Sequence, residues 1–228
     1  MVTLVVSKPG FWDSLKTYLQ YYRQDVVNDA VDHVVVVAIS VAIATVVGVG
    51  LGMLVYRTER PREIALAVTG TILTIPSLAL FGIFITVPGL GLGRNSVILA
   101  LVLYGLLPIV RNTVVGLRAV DPAVVESAQG MGMTRGGRLL RIELPLAWPV
   151  IITGVRVSTL MLVGIAAIGA YIRGPGLGHE IFDGIDTIGS ALSLPEVVVG
   201  TVGVVVIAFL FDLAYVVINR ITVPRGIR

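Results

Sequence analysis

HVVVVAISVAIATVVGVGLGMLVY, residues 33–56, decides the fold, because these 24 residues include no carboxylate, lysine or arginine. As an α-helix the stretch reaches about 36 Å at 1.5 Å per residue, enough to cross the ~30 Å hydrocarbon core of a bilayer. It reads as a first membrane span.

The rest of the chain has the same character. Over 228 residues the sequence is 56% hydrophobic and 14% charged, with a mean hydropathy of +0.95, too apolar for an ordinary soluble domain. Residues 63–87 form a second apolar block with Pro76 near its middle, which a membrane helix tolerates where neighbouring helices satisfy the freed carbonyl. The turn-rich PGLGLGR at 88–94 punctuates the chain, and 95–117 is a third block with Pro108 inside it. Residues 145–171 and 197–218 supply two more, on either side of a Gly- and Pro-bearing stretch. The fold class is therefore an all-α integral membrane protein with five transmembrane helices in a domain spanning 33–218. Within the spans, Gly48 and Gly52 form a GxxxG pattern that reads as helix packing.

Ahead of the first span, Phe11, Trp12, Leu15, Tyr18, Leu19 and Tyr22 recur at spacings of three and four among Asp13, Lys16 and Asp25. That pattern predicts a helix lying in the outer interface of the membrane, within an extracytoplasmic segment at 1–32, with a frayed extracellular tail as the alternative. Asp29 and Asp32 follow, and no apolar core with a small-residue cleavage site is present, so the segment does not read as a cleavable signal peptide.

Orientation follows from Lys and Arg, which are retained on the cytoplasmic side. Of the 17 such residues, eleven fall in one set of flanks: Arg57, Arg60 and Arg62; Arg111, Arg118, Arg135, Arg138 and Arg141; Arg220, Arg225 and Arg228. Lys8, Lys16, Arg23, Arg94 and Arg173 lie on the other side, and Arg156 is left inside a span. The N-terminus is thus expected outside, with the loop at 119–144 and a tail at 219–228 in the cytoplasm.

In that loop Asp121-Pro122 is a helix-start signal, since Asp accepts from free backbone N–H groups and Pro fits the first turn. A short helix carrying Glu126 is expected, interrupted by Gly130 and Gly132, then a second helix capped by Thr134 with Arg135, Arg138 and Arg141 on one side. From residue types alone this elbow could be a solvated linker.

Several chemistries are excluded or disfavoured. The chain has no cysteine, so it has no disulfide and no thiol catalysis. No GxxxxGK[ST] phosphate loop is present, and no basic cluster interleaved with aromatics suggests nucleic acid. His179, Glu180, Asp183 and Asp186 lack the spacing of a metal or acid–base site and read as a solvated outer loop. A secondary transporter or channel would show internal repeats or a ring of intramembrane charges. Arg156 lies about 16 Å into the fourth span, and Asp212 in the cytoplasmic half of the fifth; the two are expected to pair as an attachment between helices, with gating as the alternative.

The run ESAQGMGMTRGGRLLRIELP at 126–145 resembles the EAA motif of bacterial ABC importer permeases. Glu126 and Ala128 open it, Gly132 stands six positions after the Glu, and Ile142, Leu144 and Pro145 close it, while Ser127 replaces the usual first Ala. GVGLGMLVYR, TIPSLALFGIF, LLPIVRNTVVGL and GAYIRGPGLGHEIFDGI are similar to segments of permeases for glycine betaine, choline and carnitine, the osmoprotectant subfamily. The resemblance implies a type I importer permease fold and a transport subunit rather than an enzyme. In that family the elbow is the coupling helix, seated in a groove of a separate ATPase. It assigns coupling to Glu126, Ser127, Ala128, Gly130, Gly132, Thr134, Arg135, Ile142, Leu144 and Pro145. Pro76 and Pro108 read first as ordinary kinks in membrane helices, with a place on the pathway as the alternative; the likeness around TIPSLAL favours that place for Pro76 and Ser77, and Gly174, Pro175, Gly176 and Gly178 would form an outer gate or a docking surface for the binding protein. The partners implied are two copies of the ATPase, which binds ATP and Mg, a second permease chain, identical or homologous, an extracytoplasmic substrate-binding protein, and membrane lipid. No cofactor is expected in this chain. The solute implied is glycine betaine, choline, carnitine or proline betaine, the alternative being another small zwitterion or amino-acid-like solute.

Overall fold

The structure is a computed structural model describing residues 10–222. Residues 1–9 of the expected N-terminal segment and 223–228 of the expected tail lie outside the described residues. Neither glycine nor proline occurs between residues 11 and 47, and without a breaker the backbone stays helical. Helix α1 accordingly runs Phe11–Val55, 45 residues without interruption, or about 67 Å. The amphipathic segment and the first span, which read as separate elements, form one helix with no break at residue 32.

The second block is broken rather than kinked. Helix α2 (Glu59–Thr74) and helix α3 (Ser77–Ile85) meet at 92°. Pro76 offers no N–H and drives the preceding residue out of the α region, and Ile75 is extended at φ −67°, ψ 130°. The Ile75 carbonyl accepts instead from the Tyr104 hydroxyl of helix α4 at 2.7 Å, so a neighbouring span satisfies the group left at the break.

Helix α4 (Arg94–Arg118) stays continuous through Pro108. After the elbow helices α5 (Pro122–Gly130) and α6 (Arg135–Arg138), a π-helical turn at Leu139–Glu143 leads without a break into α7 (Leu144–Ile168). Helix α8 (Gly178–Asp186) and helix α9 (Ser193–Thr222) complete the chain. Four helical runs are long and apolar enough to cross a membrane, five if the bent α2–α3 pair is one span. Every regular element among the described residues is helical.

Helix α4 lies at the centre, packed on α1 and α7, with α2 and α3 outside it and α8–α9 against α7 and α1. Backbones approach closely at small residues: a Cβ on Gly48 would stand 2.8 Å from Ile109, and one on Gly52 2.6 Å from Thr113. Van der Waals contact of this kind holds helices together where lipid removes the hydrophobic incentive. One core cluster, with Val36, Val37, Phe81, Leu101 and Leu162 fully buried, fills the middle. A second, around Tyr56, Val110, Leu117 and Ile151, lies at the elbow end.

Candidate functional site

The elbow is built from local signals. Asp121 Oδ1 accepts from Ala123 N at 2.8 Å, and Pro122 occupies the first turn of α5. The helix closes on Gly132, whose φ of +80° favours glycine. There Gly132 N donates to Gln129 O at 2.9 Å and Met133 N to Ala128 O at 3.2 Å, the paired closing bonds of a left-handed cap. Gly130 does not interrupt the helix, because it is the last residue of α5; the turn rests on Gly132. Thr134 caps α6 by accepting from Gly137 N at 3.2 Å.

The residues singled out from the sequence separate into a tip and a root. Glu126, Ser127, Gly130, Gly132, Thr134 and Arg135 are exposed on the tip, with Ala128 buried beneath them. Met131 on the tip and Leu140 in the π-helical turn are 73% and 60% exposed, and Arg135 and Arg141 are exposed as well. Ile142, Leu144 and Pro145 belong to the root: Ile142 lies in the π-helical turn and Leu144 and Pro145 open α7. The three arginines do not share one environment, for Arg138 is buried between the other two.

Arg138 turns inward to Glu143, a residue that no sequence motif singled out. The Glu143 carboxylate is buried and takes hydrogen bonds from three directions: Arg138 Nε at 2.7 Å, Tyr56 Oη at 2.5 Å and an Arg57 terminal nitrogen at 3.1 Å. Arg57 also bonds to the Tyr56 hydroxyl and sits 5.0 Å from its ring centroid. Residues five apart lie about 140° apart on an α-helix. The π-helical turn, marked by the bond from Leu144 N to Leu139 O, changes that angle and lets Arg138 meet Glu143. An acidic residue entering a span beside several arginines was the only signal in the sequence. The cluster ties the elbow, the root of α7 and the end of α1 into one unit.

Further along the spans, Ser77 opens α3 just past the break at Pro76. The Pro108 carbonyl accepts from Asn112 Nδ2 at 2.8 Å. Arg156 of α7 and Asp212 of α9 meet as a two-point ion pair, Nε–Oδ1 2.6 Å and terminal nitrogen–Oδ2 2.8 Å. Both side chains remain partly exposed.

At the end opposite the elbow, the stretch read as a solvated loop is helix α8. Gly174, Gly176 and Gly178 are buried and permit close approach: a Cβ on Gly174 would meet Val97, one on Gly176 would meet His33, and one on Gly178 would fall 1.9 Å from the Ala167 carbonyl oxygen. Glu180 is buried too and accepts from the Tyr18 hydroxyl of α1. Burial, with Glu196 and Asp183 nearby, pushes its carboxyl up to about 7. His179 lies 3.4 Å from Asp29, and that contact raises its imidazole above the usual value despite partial burial.

Residues 44–222 match the family described as binding-protein-dependent transport system inner membrane component. A choline transport system permease protein of Bacillus subtilis (strain 168) is 36% identical over 92% of this chain and 94% of its own length. A glycine betaine/carnitine/choline transport system permease protein of the same organism is 34% identical over 95% of this chain and 97% of its own. An osmoprotectant import permease protein of Salmonella typhimurium (strain LT2) is 37% identical over 86% and 91%. Among solved structures, an inward-facing MetNI methionine ABC transporter chain superposes with a TM-score of 0.77 at 20% identity, covering 87% of this chain and 96% of the other. That likeness concerns the fold.

Proposed function

The chain belongs to the binding-protein-dependent transport system inner membrane components, and from that premise we propose that it carries a quaternary-ammonium osmoprotectant across the inner membrane. It is a multi-pass permease subunit of an ABC importer, a transport subunit that works with a separate ATPase and a substrate-binding protein. The proposed solutes are glycine betaine, choline and carnitine, which the names of relatives at 34–37% identity suggest, with proline betaine as a further member of the same quaternary-ammonium class. The ATPase is proposed to be present in two copies, binding ATP and Mg, and the permease to pair with a second chain, identical or homologous. The N-terminus is proposed to lie outside and the C-terminus in the cytoplasm, on the strength of the arginine-rich flanks.

One observation carries the coupling role: residues 135–172 are helical without a break, so a partner seated on the tip acts directly on a membrane span. Glu126, Ser127, Gly130, Gly132 and Thr134 would meet the ATPase, and Ile142, Leu144 and Pro145 would pass the movement on. The broken span at Pro76 and Ser77, Pro108 of α4 and the turn at Gly174, Pro175, Gly176 and Gly178 are proposed to border or gate the pathway.

Reconstitution of the permease with its ATPase and binding protein tests this reading. Uptake of radiolabelled glycine betaine should require ATP, the ATPase and the binding protein; uptake that persists without the ATPase would refute it. Gly132→Trp places a bulky ring at the turn and should uncouple ATP hydrolysis from uptake while the spans still insert. Unchanged coupling would remove Gly132 from the contact.

A further inference from the structure

Charges inside a membrane span are costly unless they face protein or water. Arg156 sits about 18 Å along α7 from Leu144, near the middle of that 25-residue helix. Its side chain and that of Asp212 nevertheless remain 42% and 30% exposed. The face of α7 and α9 that carries them therefore points to water or to another chain, not to hydrocarbon. Arg156 lines a partly open cleft of about 280 Å³ together with Thr153, Tyr215, Asn219 and Arg220, and Asp212 adjoins it as the partner of Arg156. Its size suits a solute of a few carbons.

The pairing geometry limits what can enter. Arg156 uses two nitrogens on the two oxygens of Asp212, the fork that any carboxylate can occupy. A simple cation drawn to Asp212 would leave Arg156 unpaired, and a simple anion on Arg156 would leave Asp212 unpaired, each a costly state in a partly desolvated site. A molecule with both charges leaves neither side chain alone. Tyr215 adds an aromatic ring of the kind that attracts alkylated ammonium groups.

We propose that this cleft is a membrane-embedded subsite for a zwitterionic solute, whose carboxylate takes the place of Asp212 on Arg156 and whose cationic end takes the place of Arg156 at Asp212. The proposal rests on the importer reading and narrows it: glycine betaine or carnitine fits the pair, whereas choline lacks the anionic end.

Binding is read on the assembled permease–ATPase complex in nanodiscs without binding protein, titrated with radiolabelled glycine betaine, choline and acetate, and uptake is read on the same complex in proteoliposomes supplied with ATP and binding protein. Glycine betaine should bind saturably, and choline and acetate more weakly by about tenfold or more. Arg156→Gln and Asp212→Asn should each weaken glycine betaine binding by about tenfold or more. Thr153→Trp fills the cleft without removing either charge, and should abolish binding and uptake while the complex still co-purifies. Absence of saturable betaine binding, equal binding of choline, insensitivity to both charge variants, or normal uptake by an assembled Thr153→Trp complex would each overturn the subsite and leave the importer reading standing. Failure of the wild-type complex to show ATP-dependent uptake of any probe would overturn both.

Discussion

Glu143→Gln removes the charge at the centre of the elbow's root while keeping its shape. Arg138 and Glu143 have side chains only 7% and 4% exposed, so the variant leaves a buried guanidinium without its counter-charge, at a cost of about 3 kcal/mol. Arg57 is 35% exposed, and water screens its share to about 0.5 kcal/mol or less. Tyr56 exchanges a charged acceptor for a neutral one and loses about 1 kcal/mol. The bonds that lock the elbow's root to the end of α1 are those of Tyr56 and Arg57, and their combined share of about 1.5 kcal/mol corresponds to roughly one order of magnitude in the balance between locked and loosened states. The complex should therefore still assemble and hydrolyse ATP, but stimulation by solute-loaded binding protein should largely disappear. Transport per ATP should fall by about tenfold or more. Simultaneous measurement of hydrolysis and uptake in proteoliposomes reads this ratio. Tyr56→Phe, which deletes one bond worth about 1 kcal/mol, should give a smaller loss in the same direction. A wild-type ratio and an unchanged thermal midpoint in Glu143→Gln would refute the role given to the cluster.

Three further outcomes follow from single contacts. Gly178→Ala drives a Cβ to 1.9 Å from the Ala167 backbone oxygen, which only a shift of α8 relieves; a cost of about 3 kcal/mol should appear as a clear drop in the complex's thermal midpoint. Tyr104→Phe leaves the Ile75 carbonyl without its donor, so the break should loosen by about 1–3 kcal/mol, read as faster amide exchange across residues 72–80. The third concerns pH. Because the Glu180 carboxyl is held protonated up to about 7, its contribution to stability is present below the unfolded value near 4.5 and is lost as pH rises through 7. The raised His179 imidazole acts in the same sense, its contribution fading as pH climbs past its folded value. Tyr18, Asp29 and Asp32 of α1, Asp183 of α8 and Glu196 of α9 surround these two groups. Amides of α8 should thus exchange faster at pH 8 than at pH 6, corrected for intrinsic rates. Glu180→Gln should flatten that difference, and an unchanged pH dependence would count against the buried carboxyl.

Much of this molecule was legible in the sequence where one local rule suffices. Hydrocarbon thickness sets the length of an apolar run, so residues 33–55 of the first block, 95–117, 145–171 and 197–218 fall within α1, α4, the run through α7 and α9, with Tyr56 just past the end of α1. Asp121, Thr134 and Gly132 work through bonds to residues two to four positions away, which is why the elbow could be drawn in advance. The family motif pointed to the family that the comparisons show, which composition alone does not reveal.

The tertiary structure decided what depends on distant groups meeting. Tyr18 reaches Glu180 across 162 positions and Tyr56 reaches Glu143 across 87, distances over which neither the helical period nor capping rules carry information. Pro76 announced a disturbance, but its 92° break is stabilised by Tyr104, a residue on another helix. Gly174, Gly176 and Gly178 read as part of an outer gate or a docking surface, and they are buried because α1, α4 and α7 press against them. Arg138 reads as one of three arginines on one side of a short helix, and the π-helical turn brings it onto Glu143. Runs, caps and motifs are properties of neighbours along the chain, whereas burial and charge pairing are properties of neighbours in space, and only the packed helices define those.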